Sequence, residues 1–207
     1  MKKRTILLSS LALLLAAALS IGGTAAYFTS KTQPVTNKFT VGGVTIELVE
    51  EKWNSGKGSV KPGKEVAQNM VPGQTANKDP VVKNIGVSPC YVRLKVTGVT
   101  YKNNKISATN DSYTIHGANL GNSQNKWTYS HGYFYYNRTL AGKSGAVIDK
   151  TEPLFTSVSL DQNATEGKAA DLEMVITAEA VQCEGGLEPD HNFNFIESAK
   201  EAFRKIS

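Results

Sequence analysis

The residues of this chain whose types could do chemistry are few and widely spaced. They are three histidines, His116, His131 and His191, and two cysteines, Cys90 and Cys183. The histidines lie in or beside segments rich in Gly, Asn and Pro. None belongs to His-Glu-x-x-His or another metal-ligand spacing. There is no Gly-x-Ser-x-Gly nucleophile elbow and no phosphate-cradling Gly loop. Neither cysteine has a histidine near it in sequence. His131 falls between two aromatic runs and reads as a turn residue. The consecutive pair Glu50-Glu51 reads as solvated charge rather than as an acid and base flanking a substrate. The residues therefore assign no catalytic group, no metal and no cofactor, and the chain reads as a non-enzyme.

The cysteines leave one covalent question open. A Cys90–Cys183 disulfide would close a loop of about 90 residues, worth roughly 4–5 kcal/mol in the chain-entropy treatment. Alternation argues partly against it. Cys90 shares a face with Val92, Leu94 and Val96, whereas Cys183 alternates with Glu173, Thr177 and Glu179. Neighbouring strands are bridged only when both Cβ atoms point the same way. Strand ends and bulges relax this, so a disulfide and two inert thiols both stand.

The oxidising compartment that a disulfide needs is suggested by the start of the chain. Met1-Lys2-Lys3-Arg4 is basic, Ile6 to Leu19 is apolar except for Ser9 and Ser10, and Gly22-Gly23-Thr24-Ala25-Ala26 is small. That order describes a secretory signal peptide over residues 1–26, with Thr24 and Ala26 at the positions a signal peptidase reads and cleavage between Ala26 and Tyr27. The apolar run is shorter than the about 20 residues that span a bilayer. Removing residues 1–26 deletes three basic groups and leaves 20 Lys and Arg against 18 Asp and Glu. The pI near 9.1 thus comes partly from the export signal. No basic cluster for nucleic acid remains. The charged end, residues 198–207, carries no sorting signal, and no stable membrane anchor is expected after cleavage.

The elements that must position these residues are mostly strands. Val44 to Leu48 and Cys90 to Thr97 alternate with period two, with Tyr91, Arg93, Lys95 and Thr97 facing outward. Val81 to Asn84, Leu154 to Leu160 and Leu172 to Val181 supply three more. Trp127 to Tyr129 and Tyr133 to Tyr136 flank Ser130-His131-Gly132 as a hairpin. Asn103 to Asn125 is polar and reads as a long surface excursion with one short helical turn. Residues 195–206 place Phe195, Ile196, Ala199, Phe203 and Ile206 on one face of a single amphipathic helix. The expectation is one mainly β domain over residues 27–207, an antiparallel β-sandwich with a C-terminal helix.

Several segments carry a resemblance to a known family. Gly22 to Ser30 resembles the signals cut by the SipW-type signal peptidase of Gram-positive bacteria. Val71-Pro72-Gly73-Gln74, Lys78-Asp79-Pro80, Asn84-x-Gly86 and Tyr91 to Val96 follow in order. Gly132 to Tyr136, Leu140-Ala141-Gly142, Pro153-Leu154-Phe155 and Ile176 to Gln182 complete the pattern. Together they cover about a third of the chain and resemble the SipW-dependent secreted family of TasA, camelysin and BsaA-like biofilm-matrix proteins. The two cysteines depart from that pattern.

The resemblance implies a jelly-roll-like sandwich at the surface or in the matrix of a Gram-positive bacterium, self-associating into filaments with or without accessory matrix proteins. Residues 27–39 are then a candidate donor strand, with Tyr27, Phe28, Thr29, Thr32, Val35 and Thr36 tolerating an extended state. An added strand satisfies unpaired edge groups, and a head-to-tail contact that does not close makes a filament. Two other readings remain. One is a monomeric surface adhesin, binding through residues 103–125 or the aromatics of Trp127 to Tyr136. The other is a camelysin-like secreted metalloendopeptidase, a label that the residues themselves do not support.

Overall fold

The computed structural model describes residues 36–37, 43–55, 61–68, 70–164, 172–183 and 195–206. They form, in chain order, β1 (Thr36–Asn37), β2 (Ile46–Val49), α1 (Glu51–Asn54), α2 (Gly63–Ala67), β3 (Thr75–Asn77), β4 (Val81–Asn84) and β5 (Cys90–Val96). After these come β6 (Val99–Lys102), β7 (Lys105–Ala108), β8 (Tyr113–His116), β9 (Trp127–Ser130), β10 (Tyr133–Tyr136), β11 (Asp149–Lys150), β12 (Ser157–Leu160), β13 (Ile176–Gln182) and α3 (Phe195–Arg204). The fold is mainly β. Its sheets are open: a five-stranded sheet β1-β13-β5-β10-β9, two three-stranded sheets β11-β4-β2 and β3-β12-β8, and the hairpin β6-β7. Every strand pairing is antiparallel except that of β1 with β13.

The period-two pattern of β5 and β13 sets the two faces of the large sheet. Cys90, Val92 and Leu94 point, with Ile176, Ala178, Ala180, Phe134 and Tyr136, into the main core. That core also takes Ile46 and Leu48 of β2, Val82 of β4 and Val158 and Leu160 of β12, so the small sheets share it. The opposite face of the large sheet presents Tyr91, Tyr135 and Val181, and α3 covers them with Ala199 and Phe203. Of the stripe read over residues 195–206, Phe195, Ile196, Ala199 and Phe203 dock, whereas Ile206 lies past the end of the helix and is 49% exposed.

The β9–β10 hairpin closes through His131 and Gly132, whose φ angles are 48° and 87°. Two central residues with positive φ make the turn whose twist suits a two-residue hairpin.

Three expectations change. Residues 103–125 are not a long excursion: Asn103 and Asn104, with φ of 52° and 57°, close the β6–β7 hairpin, and β8 follows. Ile106, Ala108, Tyr113 and Ile115 of that stretch are buried. Second, α3 is not the only helix. The four-residue α1 holds because the Asp79 carboxylate accepts the Lys52 N–H at 3.0 Å and the Trp53 N–H at 3.3 Å, capping orphan donors. Third, Glu50 is not solvated. It is 4% exposed, and its carboxylate lies 2.9 Å from the buried Lys78 ammonium.

Candidate functional site

β1 is the described remnant of the expected donor segment. Thr36 pairs with Thr177 and Asn37 with Ala178, parallel to β13 on the edge of the large sheet. Thr36 is therefore held by its own domain rather than offered to another. Ala26, Tyr27, Phe28, Thr29, Thr32 and Val35 lie outside the described residues, as does His191. The direction of β1 is informative. β5 and β13 are antiparallel with Ile176 opposite Val96 and Gln182 opposite Cys90. β1 itself consequently runs from the Val96 end of the sheet towards the Cys90 end. The chain is next described at Gly43, beside the Ser88 hydroxyl.

The Cys90 end is built from two loops, residues 85–88 and 141–148, held against each other. Asn84, fully buried, organises both. Its side-chain amide donates to the carbonyls of Ser88 at 2.9 Å and Ala141 at 3.0 Å, and its side-chain oxygen accepts the Gly86 N–H at 3.1 Å. The Lys143 N–H donates to the Gly86 carbonyl at 2.7 Å. Gly142 packs so closely on the Val87 backbone that a Cβ there would collide with the Val87 carbonyl.

Asp149 pins the second loop at its base. It accepts both terminal nitrogens of Arg138, at 2.7 and 2.9 Å, and the Ala141 N–H at 2.9 Å. Burial pushes the Asp149 carboxyl up, but Arg138 and the backbone donors outweigh it and hold it below the ordinary aspartate range. These tied loops nevertheless leave Ile85 36%, Val87 80%, Val147 72% and Ile148 39% exposed. Ile148 and Ile85 directly flank the Asp149–Asn84 pair in sequence.

On the covered face, Arg93 joins sheet to helix. Its guanidinium carbon lies 3.9 Å from the Tyr133 ring centre and 4.0 Å from that of Phe203, and its Nε donates to Glu179 at 2.8 Å. Burial works against the charge, yet Tyr135 and Glu179 raise the Arg93 pKa above its ordinary value.

Cys90 and Cys183 are both buried and are not bonded to each other. Gln182, not Cys183, stands opposite Cys90, and Cys183 donates its N–H to Pro89. A one-residue offset sends the two thiols to opposite faces of the sheet, Cys90 into the main core and Cys183 under α3. Burial pushes the Cys90 thiol up to about 12, so it does not ionise near neutrality.

The histidines are apart. His116 Nε2 meets the Ser159 hydroxyl at 2.7 Å and His131 Nδ1 the Ser130 hydroxyl at 2.8 Å, both exposed. Among the described residues no three His, Cys, Asp or Glu side chains gather as a metal site. A cavity of about 30 Å³ between Trp53, Met70, Lys78, Tyr113 and Met174 has room for a water rather than an organic ligand.

Sequence reading did not find the exposed loop aliphatics. The signal that could have found them is Ile85-Gly-Val87 and Val147-Ile148, two apolar pairs inside glycine-containing turns. No family model, curated protein or solved structure matches this chain.

Proposed function

We propose that this chain is an exported structural subunit of extracellular matrix fibres, in which residues 27–35 of one copy add to the next as an extended strand. The observation that carries the reading is the parallel pairing of β1 on β13. It holds Thr36 and Asn37 on their own domain, with β1 running away from the Val96 end of the sheet, and so leaves residues 27–35 as the connector in this reading. A segment leaving one end of a domain makes heterologous contacts with the next copy, and these need not close. The root itself is slight. A two-residue strand holds by a few backbone hydrogen bonds at about 1 kcal/mol each.

In this reading a SipW-type peptidase cuts between Ala26 and Tyr27 and thereby frees the segment, and the product resides in the matrix or at the cell surface. Assembly in this reading proceeds with or without accessory matrix proteins. The architecture we assign is a jelly-roll-like sandwich. It is supported by the sharing of one core between the inner face of the large sheet and the smaller sheets.

The test is negative-stain electron microscopy of concentrated protein beginning at Tyr27 beside protein beginning at Thr36. Filaments from the longer chain alone are expected. Filaments from both would keep the fibre role and discard residues 27–35 as the connector. If neither polymerises, even when seeded with native matrix, the fibre reading falls and a monomeric adhesin replaces it.

A further inference from the structure

The loop pair at the Cys90 end has the properties of a docking surface. Val87 and Val147 are 80% and 72% exposed, and Ile85 and Ile148 are more than a third exposed. The loops that carry them are held in place by Asn84, Gly142 and Asp149. Exposed aliphatic side chains on a preorganised frame cost little ordering entropy when a partner covers them. Residues 85–88 and 141–148 carry a single charge, Lys143, so the matching partner is apolar.

The position of this surface points to the partner. It lies at the end of the large sheet where Cys90 pairs with Gln182, whereas β1 begins, at Thr36 opposite Thr177, next to the end where Val96 pairs with Ile176. The described chain starts at Thr36, and residues 27–35 add nine more, among them Tyr27, Phe28 and Val35. Extended, nine residues reach about 30 Å.

We propose that Ile85, Val87, Val147 and Ile148 form the surface on which a second copy of this chain docks its residues 27–35. The proposal rests on the fibre reading above and adds the receiving side. Each copy then has one donor end and one acceptor end, opposed along the sheet, so the contact is polar and propagates.

The test uses two full-length mature chains, each disabled at one end. Val87→Glu/Val147→Glu changes only well-exposed side chains, and Tyr27→Glu/Phe28→Glu changes only the segment. Circular dichroism and melting temperature confirm that both fold. Assembly is followed by sedimentation velocity at rising concentration. The acceptor variant is expected to raise the threshold for filaments about tenfold or more, the scale at which disrupting a few central apolar contacts weakens an interface.

Mixed together, the two variants are expected to form a one-to-one pair that grows no further, since one working donor and one working acceptor remain. If the unmodified chain assembles and Val87→Glu/Val147→Glu assembles at the same threshold, the acceptor assignment is wrong and the fibre reading stands. A discrete dimer lost in Val87→Glu/Val147→Glu and kept in Tyr27→Glu/Phe28→Glu would show that the loop surface pairs with itself, again overturning the assignment. If the unmodified chain stays monomeric throughout, both readings fall.

Discussion

The guanidinium of Arg93 lies 4.0 Å from the centre of the Phe203 ring, so a cation on the sheet is what the C-terminal helix rests on. The Tyr133 ring centre lies 3.9 Å from the same guanidinium, and Glu179 neutralises the charge at 2.8 Å. Phe203 is 1% exposed and is the largest fully buried side chain that α3 places on the sheet. Phe203→Ala should cost about 3–5 kcal/mol as a buried aromatic lost to a cavity, and should make α3 the first site of limited proteolysis. Arg93→Lys should not restore the wild-type midpoint of chemical unfolding, because a compact ammonium cannot stack flat between two rings while bonding Glu179. Equal stability of Arg93→Lys and wild type would refute the stacking account.

Two aspartates set opposing pH dependences. Asp149 is held below the ordinary range, so its contribution to stability is present above that range and is lost as pH falls through its folded-state pKa. Asp79 runs the other way. Burial raises it, in spite of the Lys52 and Trp53 N–H donors, so its contribution is full at low pH and is lost as pH rises through its raised pKa. Asp149→Asn should therefore flatten the acid limb of the stability curve below about pH 4 and loosen residues 141–148. Asp79→Asn should steepen the net loss towards acid. The measurement is urea unfolding from pH 3 to 7, and an unchanged acid slope in Asp149→Asn would overturn the assignment.

The two thiols should be silent in the native state. Cys90 is fully buried with its pKa near 12, and Cys183 is 2% exposed beneath α3. A thiol-disulfide reagent should titrate far less than one equivalent of native protein and two equivalents after denaturation. Mild oxidants should leave the native mass unchanged, since the thiols face opposite sides of the sheet. An intrachain disulfide formed without loss of native structure would contradict the Gln182–Cys90 register.

Asn84 should matter beyond its size. It is fully buried, and its amide ties Ser88 and Ala141, one from each loop at the Cys90 end. Asn84→Ala takes the side-chain donor from the part-buried Ser88 and Ala141 carbonyls, at about 1 kcal/mol for each lost bond, while the Gly86 N–H keeps the Thr45 carbonyl at 2.9 Å. Hydrogen exchange should then rise over residues 85–88 and 141–148 together. A rise in one loop only would show that Asn84 does not couple them.

How much of this was legible in the sequence depends on where each partner sits. Alternation in Cys90 to Thr97 placed β5 and separated its two faces, but Tyr91 of the face read as outward is buried under α3, and alternation left a Cys90–Cys183 disulfide open. His131-Gly132 announced its hairpin because the turn chemistry is local. The stretch from Asn103 to Asn125 misled, because its Asn and Gly mark tight turns rather than a loop. The buried Ile106, Ala108, Tyr113 and Ile115 come in strands of only four residues. The helix α1 was invisible because its cap, Asp79, lies 26 and 27 residues downstream of the Trp53 and Lys52 donors. The parallel seat of β1 and the loop surface at the Cys90 end were equally invisible, since both are long-range.

Glu50 shows the same limit and gives the sharpest energetic test. In sequence it is one of two adjacent acids; in the fold it is 4% exposed and its only cation is Lys78 among the described ion pairs. Lys78 is itself 4% exposed, with its ammonium 4.4 Å from the Trp53 ring centre. Removing two charges from water costs several kcal/mol each, and mutual attraction does little more than offset that cost. The pair therefore adds little net stability, yet either member alone is a buried, uncompensated charge. Glu50→Ala should destabilise by about 3–5 kcal/mol, since the Trp53 face supplies only about 2 kcal/mol to a desolvated cation. The double variant Glu50→Leu/Lys78→Met removes both charges while keeping volume. It should lie within about 1–2 kcal/mol of wild type, on either side. Urea midpoints of the two singles and the double give the coupling directly. A Glu50→Ala cost below about 1 kcal/mol would mean that water reaches Lys78, as it does at exposed pairs, and that α1 and the Asp79 turn do not seal it.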